Sequence, residues 1–279
     1  MLSLTGFCPL DGAMAKRNLR IMKETENGNI LEANEENIRK AAMAIRNGGV
    51  VAFPTETVYG LGADGYNPQA CARIFEIKER PRFDPLILHA YSAEMACGLF
   101  SEIPDKAKIL MRKFWPGPLT LVLPKAAAVP DIVSSGLTTV AVRVPAHPAA
   151  LALIREADRP VAAPSANKFG RLSPTAARHV AEQLGRSPEI ILDGGRTAVG
   201  VESTIITFCA GHPVLLRAGG LAAEEIENAL GEPVLRPELS RDKDSLPMAP
   251  GCLKKHYAPR AELRIIKRGA SVSGGTSSA

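Results

Sequence analysis

Val50-Val51-Ala52-Phe53 runs directly into Pro54-Thr55-Glu56-Thr57-Val58-Tyr59-Gly60-Leu61-Gly62. The first four residues read as a buried strand and the rest as a turn rich in hydroxyls and glycine. Downstream, Lys78-Glu79-Arg80-Pro81 places two cations ahead of the apolar run Leu86-Ile87-Leu88, which ends at His89. A strand that ends in such a turn, with cations on the next element, builds a wall for phosphate or carboxylate.

Working outward, Ile38, Ala41, Ala42 and Ile45 follow a helical spacing from Glu36, and Gly48-Gly49 stops it ahead of the strand. The same reading predicts helices over 69–78, 105–114, 148–157, 174–184 and 223–230. Strands are predicted over 86–89, 119–123, 139–144, 161–163, 189–192, 203–208 and 214–217. Alternating strands and helices imply an α/β fold, a sheet covered by helices. Residues 1–34 lack clear periodicity, contain Met14 and Met22 as alternative starts, and read as an extension. One main domain is expected over 35–235. A charged, proline-rich linker follows over 236–260, and a flexible tail over 261–279 leaves no room for a second folded domain.

A hydrophobic share of 46% in 279 residues supplies ample core. The five cysteines, Cys8, Cys71, Cys97, Cys209 and Cys252, form no C-x-x-C pair, which argues against structural zinc and a disulfide framework and for a reducing cytoplasm. No apolar run has membrane-spanning length, and no export signal opens the chain. A net charge of +5 permits a polyanionic partner such as tRNA or double-stranded RNA. With aromatics at 5%, no base-stacking platform is visible.

Candidate chemistry sits at the predicted strand ends. Pro164-Ser165-Ala166-Asn167 follows one strand, and Gly200-Val201-Glu202-Ser203-Thr204 enters another, where a crevice is expected. Arg143 inside Val140-Ala141-Val142-Arg143-Val144 requires a buried anion or a carboxylate partner, as does Arg217 after Leu215-Leu216. Glu56 and Glu202 are either magnesium-side carboxylates or solvated neighbours, and no metal ligand is assigned. The P-loop, dinucleotide, nucleophile-elbow and zincin templates are missing. The residues alone describe an α/β enzyme whose pocket of cations and hydroxyls suits a phosphorylated or carboxylated substrate.

The strings PTETVYGLG, KERP with PLILH, FWPGPLTLV, VAVRVPAHP, PSAN, DGG with GVESTI, LLRAG and HYAP occur in this order. Together they resemble the YrdC-like threonylcarbamoyl-AMP synthase family from about Glu36 to Pro259. The resemblance implies an open, twisted mixed sheet flanked by helices, with a deep central cavity. It implies a nucleotidyltransferase that joins L-threonine, bicarbonate and ATP into threonylcarbamoyl-adenylate and pyrophosphate. A downstream transfer complex would then modify tRNA. By the same resemblance Thr57, His89, Arg143, Ser165 and Ser203 hold threonine, with Arg143 clamping its carboxylate. Lys78, Arg80, Asp84, Thr139, Asn167, Ser173, Arg217 and Tyr257 face ATP. Lys78 and Arg80 are the cations expected to act on the triphosphate, and Mg2+ would travel with the nucleotide.

Two departures stand out. Asp84 replaces the family's usual asparagine, and a carboxylate beside phosphates repels them unless a cation intervenes. The linker string reads Pro250-Gly251-Cys252-Leu253-Lys254-Lys255-His256-Tyr257-Ala258-Pro259, and longer members follow it with a second α/β domain. Two other readings compete. A carbamoyl-adenylate enzyme of the hydrogenase-maturation type is disfavoured by the missing C-x-x-C pairs. A double-stranded-RNA-binding or ribosome-assembly protein is disfavoured by the interior Arg143 and the hydroxyl set.

Overall fold

A computed structural model describes residues 29–236 of the chain. Ten strands form one mixed sheet in the order β1-β8-β2-β3-β7-β4-β6-β5-β9-β10. The strands are β1 (Ile30–Glu32), β2 (Val51–Phe53), β3 (Gly60–Asp64), β4 (Ile87–His89), β5 (Leu119–Pro124), β6 (Thr139–Arg143), β7 (Val161–Ala162), β8 (Ile190–Asp193), β9 (Thr204–Cys209) and β10 (His212–Arg217). The helices are α1 (Glu35–Arg46), α2 (Pro68–Lys78), α3 (Ala93–Cys97), α4 (Asp105–Phe114), α5 (Asp131–Ser134), α6 (Pro148–Ala157), α7 (Ala177–Leu184) and α8 (Ala223–Leu230). Parallel pairs (β1 with β8, β8 with β2, β4 with β6, β5 with β9) mix with antiparallel ones, as expected of a mixed sheet.

The helices start where local chemistry lets them. Asn34 caps α1 by accepting from Asn37 N, and Asn67 caps α2 ahead of Pro68, which needs no amide partner in a first turn. The buried stripe Ile38, Ala41, Ala42 and Ile45 of α1 packs with Ala150, Leu153, Ile154 and Ala157 of α6 over Val51, Phe53, Val161 and Leu192 of the sheet. The larger core lies on the opposite face, where Leu88, Leu121, Val142 and Ile206 meet Ile74 of α2 and Leu110 of α4. Strand alternation decides which residue goes where. At β4, β5, β6 and β9 the residues out of phase with that core, Ile87, Val122, Ala141 and Ile205, form a separate small cluster with Leu216.

The structure corrects three expectations. The extension read over 1–34 overlaps the fold, because Ile30–Glu32 pairs in parallel with Ile191–Asp193 and Asn34 is a helix cap. The glycine-rich segment after Thr57 is a turn only as far as Tyr59, and Gly60–Asp64 is a fully buried strand. A side chain at Gly62 would bring a Cβ to 2.6 Å from both Phe53 and Val161, so glycine serves close packing rather than turning. The helix expected from Pro174 starts at Ala177, because the Pro174 carbonyl accepts from Tyr59 N and the Thr175 carbonyl from Thr197 N.

Candidate active site

An open cleft lies over the sheet face that carries the small Ile87 cluster. Register brings its polar floor together. His89 of β4 is paired with Arg143 of β6, which is paired with Thr120 of β5. All three stand on one face, two residues along from Ile87, Ala141 and Val122. The crevice expected at the strand ends is therefore roofed by loops but floored by a sheet face. The 54–59 loop is fixed above it by backbone bonds from Val199 N to Glu56 O, Gly200 N to Thr57 O, and Ala166 N to Tyr59 O.

Seven of the sequence-predicted residues line this cleft: Thr57, Arg80, His89, Arg143, Ser165, Ser203 and Arg217. Arg143 is buried and already anchored. Its Nε donates to Gly117 O at 3.1 Å, its Nη1 to Thr57 Oγ1 at 2.8 Å, and its Nη2 lies 2.5 Å from Glu56 Oε1. Burial pushes its pKa down while Glu56 pulls it back up. The carboxylate partner that this interior guanidinium required is therefore Glu56. Burial, with Arg143 nearby, pushes the His89 imidazole down to about 3, so the ring is neutral at physiological pH. Its Nδ1 has no hydrogen-bond partner among the described residues. Ser203 shares a 2.7 Å hydroxyl contact with Thr120, and Arg217 donates to both the Ser203 carbonyl and its Oγ.

The remaining predicted residues stand behind or beside the wall. Lys78 is fully buried, and its Nζ donates to the carbonyls of Ser165 and Asn167, so it braces the 164–167 loop without lining the cleft. Burial pushes its pKa well down. Asn167 donates to the carbonyls of Lys168 and Arg171 and accepts from Ser165 Oγ. Asp84 is buried against Arg80, its Oδ1 2.8 Å from Nη2, so the cation that its position demanded is Arg80. Ser173 donates to Glu202 Oε1. Thr139 pairs with Pro124 at the end of β6 opposite Arg143 and does not line the cleft. Tyr257 lies outside the described residues, as does most of the expected linker.

Thr55, Thr120 and the Gly117 carbonyl were not anticipated as parts of the site. For Thr120 a signal existed, since a lone hydroxyl alternates with leucines in Leu119-Thr120-Leu121. Glu202, left unassigned by the sequence, lines the cleft. Among the described residues no group of three His, Cys, Asp or Glu side chains could hold a metal, and no helix is long and apolar enough to cross a membrane.

Residues 43–219 match the Sua5/YciO/YrdC family model, described as "Telomere recombination". The chain belongs to the Sua5/YciO/YrdC family. Residues 221–276 match a second model, "Threonylcarbamoyl-AMP synthase, C-terminal domain". That match takes in α8, which packs on α4, and the stretch read as linker and tail. Among relatives of this Sua5/YciO/YrdC chain, the threonylcarbamoyl-AMP synthase of Pyrococcus abyssi is 52% identical over 86% of the chain and 71% of its own length. The synthase of Bacillus subtilis is 49% identical over 85% and 68%. A crystal structure of P. abyssi Sua5 complexed with L-threonine superimposes with a TM-score of 0.79, at 52% identity, covering 84% of this chain and 68% of that one.

Proposed function

We propose that this chain is a threonylcarbamoyl-AMP synthase that uses L-threonine, bicarbonate and ATP and serves tRNA modification. The observation that carries this reading is the meeting, in one cleft, of Thr57, His89, Arg143, Ser165 and Ser203 with the cations Arg80 and Arg217. Relatives named for the activity, at about half identity over most of the chain, support it.

The chemistry has two stages. The amine nitrogen of threonine forms a bond to the carbon of bicarbonate, and water leaves, giving a carbamate. A carbamate oxygen then attacks the α-phosphorus of ATP, and the bond from that phosphorus to the bridging oxygen breaks to release pyrophosphate. Nothing here needs a covalent nucleophile, so positioning and electrostatics carry the catalysis. Arg143, held by Gly117, Thr57 and Glu56, presents a preorganised cation on the threonine side. Neutral His89 and the Ser203 hydroxyl offer uncharged hydrogen-bonding groups to the amino acid. Arg80 and Arg217 face the phosphates, with Lys78 holding the Ser165-to-Asn167 loop in place beneath them. Magnesium carried by the nucleotide would neutralise phosphate charge, held mainly by phosphate oxygens and water with one or two carboxylates. The buried Oε2 of Glu202 fits that need.

The decisive test is pyrophosphate release with each substrate omitted in turn. Release is expected only with all three present, and with strong preference for threonine over valine, because hydroxyl-binding groups left unpaired penalise an apolar isostere. Equal turnover of valine, or release without bicarbonate, refutes the reading.

A further inference from the structure

Glu202 is a carboxylate with one oxygen occupied and the other idle. Ser173 donates to Oε1, while Oε2 is buried without a hydrogen-bond partner among the described residues. The residue is 8% exposed, and it lines the cleft. A buried carboxylate oxygen without a hydrogen bond is costly, and a bound cation would offset that cost.

The backbone around Glu202 holds it there. Its carbonyl accepts from Gly220 N at 2.8 Å, and a Cβ on Gly219 would stand 2.3 Å from the same carbonyl oxygen. The neighbouring cations are engaged elsewhere: Arg80 with Asp84 and the Pro85 carbonyl, and Arg217 with Ser203. Among the described residues no lysine or arginine forms an ion pair with Glu202. The side of the cleft it serves is also defined. Its charge acts on Lys78, which braces the loop below the phosphate-facing cations, and its Oε1 is held by Ser173 rather than by a residue of the threonine cluster. One carboxylate oxygen among guanidiniums and hydroxyls suits a hard cation that keeps most of its ligands from phosphates and water.

We propose that Glu202 Oε2 ligates, directly or through one water, the divalent cation that arrives with the nucleotide; this rests on the ATP reading above. The test is calorimetric binding of a non-hydrolysable ATP analogue with Mg2+ and with EDTA, in wild type, Glu202→Gln and Glu202→Asp. Water-proton relaxation of Mn2+ in the presence of saturating analogue gives an independent readout. Losing one charge-assisted contact corresponds to roughly 10- to 100-fold. Wild type should therefore gain about that factor in analogue affinity from Mg2+, and Glu202→Gln should lose most of it, with threonine affinity unchanged. The Mn2+ relaxation signal should fall in parallel. Glu202→Asp keeps the charge but withdraws it, and should show an intermediate gain even if the glutamine variant folds poorly. A full Mg2+ gain in both variants overturns the assignment. So does a loss confined to threonine affinity, which would place the substrate ammonium at Oε2. If wild type binds no analogue in either condition, the ATP reading itself fails, and the assignment of Glu202 fails with it.

Discussion

Asp84 Oδ1 lies 2.8 Å from Arg80 Nη2, and the two side chains are 2% and 7% exposed. The Arg80 Nε also donates to the Asp84 carbonyl and Nη2 to that of Pro85, so the cation facing the cleft is immobilised by its own loop. Asp84→Asn retains the shape while removing a negative charge behind the guanidinium that lines the cleft. Affinity for an ATP analogue should rise. Stability should fall by about 1–3 kcal/mol as an ion pair becomes a hydrogen bond from the guanidinium to an uncharged amide oxygen. Calorimetry at fixed free Mg2+ and denaturant unfolding check the two halves, and unchanged or weaker affinity would mean Asp84 acts on Arg80 only as a structural anchor.

Arg143→Lys preserves the charge but lacks the planar fork that reaches Gly117 O, Thr57 Oγ1 and Glu56 Oε1 together. Threonine affinity should drop by about 1.5–3 kcal/mol, with ATP-analogue affinity nearly unchanged. Arg143→Ala leaves Glu56 without its cation and should in addition cost about 3–5 kcal/mol of stability. Threonine titrations matching wild type in the lysine variant would remove Arg143 from the binding role.

His89 links stability to pH. Its folded pKa of about 3 is depressed from an ordinary 6.5, so in that interval the unfolded chain binds more protons than the folded one. The contribution is fully present above pH 6.5 and is lost as pH falls toward 3. One group changes stability by up to about 1.4 kcal/mol per pH unit in that window. Chemical denaturation between pH 4 and 7, a window taken from these values, should show a shallower slope for His89→Gln than for wild type; parallel slopes would contradict a buried neutral ring.

Gly62→Ala tests the packing of β3 against β2 and β7. The new methyl would sit 2.6 Å from Phe53 and Val161, both completely buried. Overpacking of this kind costs about 1–3 kcal/mol. A melting temperature equal to wild type would mean the Phe53 ring moves aside freely.

Much of this fold can be read from local pattern. The helices at Asp105–Phe114, Pro148–Ala157 and Ala223–Leu230 are where their spacing predicts, because each carries an apolar stripe with Pro or an acidic residue at its start. β3 was hidden because its glycines answer to Phe53 across the sheet, and nothing nearby in sequence records that contact. β1 is three residues long and owes its existence to β8, far along the chain. The site divides in the same way. The types at Thr57, Arg143, Ser165 and Ser203 announce themselves as polar groups in apolar surroundings. That Lys78 turns inward to two carbonyls, that Glu56 answers Arg143, and that Glu202 keeps an idle oxygen are all products of tertiary packing.

The strand order has a consequence for the chain as it leaves the ribosome. With residues up to Gly185 emerged, the strands available are β1 to β7, and β8, β9 and β10 are still missing. β2 then lacks its β8 neighbour and β5 lacks β9, so two strands buried in the finished protein present open, apolar edges. Such edges invite pairing between chains. Closing them depends on contacts of long sequence separation, β9 on β5 and β8 between β1 and β2, which are slow to form. The same late segment delivers Glu202, Ser203 and Arg217. Protection from aggregation and completion of the cleft should thus arrive in one step, and nascent chains arrested before Ile190 should bind chaperones where those arrested well beyond Arg217 do not.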